Sequence, residues 1–301
     1  MQVLLSRREN LDPADFRRFW QDVHGPLAAR LPGLDYYRQI HVEPDPGWWP
    51  VASTVNVEPA ESDLIDGIAD MSFASAEQMM AYGKWAHYTR EDEQNLFRRS
   101  VRYLADPLLP GRCAGEDDEP EKVSAAESLR LLVLVRRQTA ASREGFDSFI
   151  ARLAACLAGG EGIRRTKVLR FRERDNTRNH ELSQNVDHDT PSHRQYDASI
   201  EAAFDDAFAA RRFFSTAGFS ACIAEQASWF KDLHAYRIID APIMVAGARM
   251  TLSGLRGVST ARLVARAGAV NHLYVDVARM FCGPSSDRLP AFLYSREELA
   301  G

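Results

Sequence analysis

One order of elements runs through this chain twice, and that repetition limits its fold more than any other feature. Residues 2–6 are a short apolar run suited to a strand. Asp12 and Pro13 follow as turn or N-cap residues for a helix over residues 15–33, which Pro32-Gly33 ends. Residues 34–42 are the next strand, and residues 44–50, PDPGWWP, must be loop. Residues 64–74 alternate, with Ile65, Ala69, Met71 and Phe73 against Asp66, Ile68, Asp70 and Ser72. Ser75 caps a long helix over 76–99, and residues 101–109 supply a fourth strand. After the charged segment CAGEDDEPEK, residues 129–137 form a strand and 142–160 a helix. Residues 162–173 and 196–204 are strands, 206–230 a helix and 234–245 a last strand.

The order β-α-β-β-α-β read twice is the ferredoxin-like split unit, duplicated at the level of elements with slight residue identity. Each unit is expected to form a four-stranded antiparallel sheet with both helices on one face. The other face needs a partner, and two such sheets in one chain can cover each other. The expected fold class is therefore α+β, two ferredoxin-like units closing into an intramolecular barrel. The expected division is a first unit over 1–112, an acidic linker over 113–126, a divergent second unit over 127–251 and a C-terminal extension over 252–301.

Hydrophobic residues make up 45% of the 301 and charged ones 26%, ordinary values for a soluble globular chain. A net charge of −5 argues against a nucleic-acid partner, whose binders carry a clustered basic surface. No stretch reaches the roughly 20 apolar residues that span a bilayer, and MQVLLSRREN lacks the form of a signal peptide. Cys113, Cys156, Cys222 and Cys282 are scattered without a CxxC pair, which fits reduced thiols and a cytoplasmic location. No GxGxxG, Walker loop or GxSxG elbow is present, so chemistry without a cofactor is expected. The loop over 174–197 holds His180, His188 and His193 with Asp187 and Asp189. Its spacing matches no familiar zinc arrangement, so no metal is expected.

The first helix carries the leading candidate. Phe16, Phe19, Trp20, Val23, Leu27 and Leu31 recur at intervals of three and four, giving one apolar face. His24 lies along the edge of that face, where an imidazole is near apolar surface yet within reach of a cavity. Tyr37 and His41 share one face of the second strand at i and i+4, so they are placed to serve one pocket. If the Asp66 and Asp70 face meets the helices, Asp70 is a natural partner for His24 and would fix its tautomer. Trp48-Trp49, between prolines, is either a lid that stacks on a flat ligand or a plug between units. Trp85, His87 and Tyr88 carry the same ambiguity, with His87 a second acid/base candidate.

Residues 16–33, FRRFWQDVHGPLAARLPG, resemble the EthD domain, as do 66–73, DGIADMSF, 91–97, EDEQNLF, and 102–104, RYL. Where the first helix has HGPL at residues 24–27, the second unit has no histidine over 154–157, so its half of the resemblance is degenerate. The resemblance implies the dimeric α+β barrel superfamily, whose small cofactor-independent enzymes include dehydratases, cyclases, decarboxylases, lactone isomerases and quinol-type monooxygenases. Their ligands are usually flat, hydrophobic and oxygenated. It further implies His24 as general acid/base and, by analogy with the lactone isomerases, Tyr37 as donor to a developing oxyanion. Trp20, His41, Trp49, Asp66, Trp85 and His87 are the side chains expected to meet substrate. The expected activity is that of a lyase or isomerase. A cofactor-free monooxygenase and a non-catalytic ligand-binding protein stand as alternatives, and the chain is expected as monomer or homodimer.

Overall fold

Alternating apolar residues in eight long strands build the frame. The computed structural model describes residues 1–108, 128–173 and 183–282; the expected linker and His180 lie outside them. In the first unit β1 (Gln2–Arg7) leads into α1 (Pro13–Phe19), which passes through a π-helical turn (Trp20–His24) into α2 (Gly25–Ala29). Then come β2 (Tyr36–Pro44), β3 (Gly67–Ser72), α3 (Ala76–Trp85), α4 (His87–Leu96), β4 (Phe97–Tyr103) and the short β5 (Ala105–Pro107). The second unit runs β6 (Leu129–Arg137), α5 (Arg143–Ala158), β7 (Ile163–Phe171), β8 (Ala198–Phe204), α6 (Ala207–Phe214), α7 (Ala217–Trp229) and β9 (Phe230–Asp240). It is followed by β10 (Ile243–Ala246), β11 (Arg249–Met250), α8 (Leu252–Arg256), α9 (Val258–Arg266) and α10 (Val275–Cys282).

The strands order as β4-β1-β3-β2-β9-β6-β8-β7-β5, so each unit keeps the same internal order and every pairing is antiparallel. The β2–β9 pairing splices the units, and β7 pairs with β5, which continues β4 after a single residue. The sheet thus returns to its starting edge, and the barrel closes within one chain. Three apolar layers follow. Leu4, Ile40, Ile68 and Val101 meet Leu132, Leu134, Phe171 and Tyr236 inside the barrel. Separate layers lie between each sheet and its own helices.

The barrel interior is more polar than an apolar-face argument suggests. Arg38 of β2 is buried between the carboxylates of Glu201 on β8 and Asp70 on β3, and Lys167 of β7 pairs with Asp70. Asp63 is buried with Arg136 and Arg194, and Arg136 also reaches Asp232. Buried ions persist where each has a partner of opposite sign.

Two expected helices are broken. The helix over 76–99 divides at Ala86 and gives way to strand at Phe97; that over 206–230 divides at Ser215 and Thr216. Each segment of the latter has its own cap: Asp206 accepts from the Ala209 amide and Thr216 from the Phe219 amide. The strand over 234–245 divides at Ala241-Pro242, where proline has no N–H for the ladder. Its second piece, β10, pairs with β2, which brings the C-terminal residues onto the first unit. There Met250, Leu255, Val258 and Ala278 pack with Trp20 and Tyr37. Asp22 of the π turn accepts from the Ser259 amide at 2.8 Å, and Arg30 donates to the Leu255 carbonyl at 2.7 Å.

Candidate functional site

The π turn determines where His24 points. Pro26 has no N–H to continue the α-helical ladder, and the Gly25 amide reaches back five residues to the Trp20 carbonyl. Gly25 is also required for space. A Cβ there would stand 2.3 Å from Met244 Cε and 2.5 Å from Gln39 Nε2. Gly67 plays the matching part on β3, where a Cβ would stand 2.3 Å from the Trp20 indole. These two glycines let the helix and sheet approach closely around His24.

His24 is buried, 6% exposed, with its ring edge-on to Phe97 at 5.6 Å. Its Nδ1 lies 2.9 Å from Asp92 Oδ2 on α4, whose other oxygen accepts from Asn95 Nδ2 at 3.2 Å. Burial opposes ionisation of Asp92, but the hydrogen bond and charge of His24 and the Asn95 amide outweigh it. Its carboxyl is held below the usual range. In the neutral ring, with Nδ1 donating to this carboxylate, Nε2 presents its lone pair, and it has no partner among the described residues.

Beside it, Gln39 Nε2 donates to the Trp20 carbonyl at 2.8 Å and to the Tyr37 phenol oxygen at 3.0 Å. Tyr37 is buried in the layer between sheet and helices, and desolvation raises its phenol far above the ordinary range despite the Gln39 bond. It stays protonated, and since its oxygen accepts from Gln39, its own O–H remains available to a further acceptor. Gln39 Oε1 is buried without a partner. Tyr82 of α3, half-buried near Thr89 and Glu93, has its phenol pushed up to about 12, chiefly by desolvation with Glu93 adding to it.

The other expected site residues are dispersed. Asp70 lies on the opposite face of β3, inside the barrel with Arg38 and Lys167, so Asp92 and not Asp70 holds His24. Asp66 takes the Arg7 amide at 2.8 Å and its Nε at 3.1 Å, a structural clasp. Trp20 is fully buried, between Phe97 at 6.3 Å and the His41 ring at 4.5 Å. His41 faces the helices like Tyr37 but lines a separate cavity. Trp49 is the plug: it is buried in the core of the second unit, edge-on to Phe214 and Phe219 at 5.5 and 5.7 Å. Trp85, His87 and Tyr88 form an outer aromatic stack; Trp85 and Tyr88 are 6.2 Å apart and about half exposed. His188 donates from Nδ1 to the Ser100 carbonyl at 2.9 Å and accepts the Ser183 amide at Nε2. Among the described residues no three His, Cys, Asp or Glu side chains gather to hold a metal, and no helix is long and apolar enough to cross a membrane.

Sequence reasoning missed Asp92, Gln39 and Tyr82. Asp92 nevertheless sits within EDEQNLF, one of the segments that carry the EthD resemblance. A family model matches over the same part of the chain. Residues 8–100 match the EthD domain. The match covers the first unit from the end of β1 into β4, with both His24 and Asp92 inside it. No curated protein matches the chain in sequence. Among solved structures, a candidate monooxygenase from Fusobacterium nucleatum subsp. nucleatum is 7% identical, with 81% of this chain and 94% of that chain covered and a TM-score of 0.48. An anthrone oxidase-like protein is 9% identical, with 80% and 91% covered and a TM-score of 0.46. A candidate monooxygenase from Lactobacillus acidophilus is 12% identical, with 81% and 95% covered and a TM-score of 0.43. At these identities and scores the three say nothing about this chain's chemistry, and the EthD match itself narrows fold more than reaction.

Proposed function

We propose that the first unit is a cofactor-independent acid–base site of the lyase or isomerase type, acting on a hydrophobic, oxygenated small molecule. The observation that carries this reading is the His24–Asp92 hydrogen bond with Nε2 left bare. A base of this form removes a proton from carbon beside a carbonyl, and the electron pair moves to the carbonyl oxygen as an enolate. Tyr37, protonated and with its O–H uncommitted, is the donor suited to that oxygen. The imidazolium, steadied by Asp92, then returns the proton. Delivered to another carbon it completes an isomerisation; delivered to a leaving hydroxyl it releases water.

Trp20, Met71, Phe97 and Met244 pack in the same apolar layer as Tyr37, surroundings that favour a substrate with a flat hydrocarbon body. The test is solvent exchange. The full chain is incubated in D₂O with β-hydroxy ketones, β-keto acids and unsaturated lactones, and deuterium beside the carbonyl is followed by NMR. Exchange lost in His24→Gln and reduced in Asp92→Asn is expected; exchange unaffected by His24→Gln overturns the reading.

A further inference from the structure

A cavity lies outside this site, between α1, the β2–β9 seam and α9. It has a volume of about 310 Å³, and its walls include Arg17, Arg18, Gln21, His41, Asp240 and Arg262. Three guanidinium groups from two helices face one lining carboxylate. Arg262 is committed to that carboxylate, with Nη2 at 2.7 and 2.8 Å from the Asp240 oxygens. Arg17 reaches Glu43 outside the cavity at a long 3.4 Å, and Arg18 is exposed with no partner among the described residues. His41 is completely buried, yet neither ring nitrogen has a hydrogen-bond partner. Buried polar atoms are nearly always satisfied, so one left bare beside a cationic cavity leaves a bond for a ligand or an ordered water to complete.

We propose that this cavity is a ligand site separate from the His24 site, binding a small molecule through a carboxylate or phosphate group held by Arg17 and Arg18 over His41. Guanidinium forks match the paired oxygens of either anion, and His41 supplies an N–H from beneath. The volume suits a compact acid, near the lower bound for small-molecule pockets. Asp240 does not spoil the site, because both its oxygens are already turned to Arg262. The wall from α9 gives the C-terminal extension a part in binding, since Ser259 and Arg262 line the cavity while Asp22 anchors the same helix. The larger cavity of about 600 Å³ beside β6 and β7 is also basic, but Arg136, Arg143, Arg170 and Arg172 there are already paired with aspartates.

The test is a titration of the full chain carrying ¹⁵N-labelled histidine, with His41 assigned through His41→Asn. Inorganic phosphate and benzoate are added separately, against chloride at matched ionic strength. Saturable movement of the His41 ring signals with phosphate, benzoate or both, without movement of His24, supports the site; which anion acts identifies the headgroup. Arg18→Glu, at an exposed position without a partner, is expected to weaken binding about tenfold or more while the melting temperature holds. Absence of saturable movement with either anion, or binding unchanged in Arg18→Glu, overturns the proposal.

Discussion

His24 Nδ1 and Asp92 Oδ2 stand 2.9 Å apart across 68 residues of chain, joining the π turn of the first helix to α4. The pairing fixes which nitrogen of His24 carries the proton. Asp92→Asn, which retains the shape but removes the acceptor charge, is expected to lower kcat roughly 10²-fold or more with little change in KM. Circular dichroism verifies the fold and single-turnover kinetics the loss. A variant of unchanged kcat would remove Asp92 from the mechanism.

The same pair makes a pH prediction. Asp92 is held below its ordinary range when folded, so the unfolded chain binds its proton first as pH falls. Its contribution to stability is complete above the unfolded value of about 4 and disappears as pH drops through the folded one. Urea unfolding of wild type and Asp92→Asn should therefore diverge near neutrality and converge in acid.

Inside the barrel, Arg38 and Glu201 form a second pair whose loss is asymmetric. Both are buried, and although burial opposes it, Arg38, Arg165 and Arg130 hold Glu201 far below the carboxylate range. Glu201→Ala leaves the buried guanidinium with Asp70 alone, at 3.6 Å and shared with Lys167, and about 3–5 kcal/mol of stability should be lost. Replacing both residues by methionine should recover part of that loss, because the buried guanidinium is gone and only the less buried Arg130 and Arg165 still lack Glu201. A double variant as unstable as the single one would mean that the network does more than neutralise itself.

These residues also show what a sequence exposes and what it hides. The duplicated element order and the cap at Ser75 depend on neighbours within a few positions, so local pattern reveals them. Asp92 lies in a polar helix whose acidic residues read as a solvated face, and only the folded chain brings it under His24. Asp70 stands between Ala69 and Met71 as a surface-facing position does, and Arg38 stands between Tyr37 and Gln39 in a strand of mixed polarity. Their face is buried because a second sheet packs on it, bringing Lys167 to Asp70 across 97 residues and Glu201 to Arg38 across 163. Trp49 could be read as lid or plug because its hosts, Phe214 and Phe219, belong to the other unit.

Trp49 makes that dependence measurable. It is 2% exposed in the core of the second unit, although its loop belongs to the first. Trp49→Ala should cost about 3–5 kcal/mol, with a cavity among Phe214 and Phe219 as the cause. In a double-mutant cycle with Phe219→Leu the losses should fall short of additivity, since both remove one contact. Additive losses would show that Trp49 stabilises its own loop and not the second unit.

His41 yields the last prediction. Burial lowers its pKa first, Arg17 on α1 and Arg262 on α9 lower it further, and Asp240 on β9 opposes them, leaving it at about 4. The imidazole is neutral in the folded chain but takes up a proton at about 6.5 when unfolded. Stability is complete above that unfolded value and declines as pH falls toward the folded one, by about 3 kcal/mol in all. In a buffer free of carboxylate and phosphate, urea unfolding at about pH 7 and about pH 5 should show this decline in wild type. His41→Gln should flatten it in part, with His234, also lowered to about 4 by burial, supplying the remainder. Equal slopes in both proteins would mean that His41 titrates as an accessible residue. The bare His41 nitrogens beside the Arg17 and Arg18 cavity would then need another explanation.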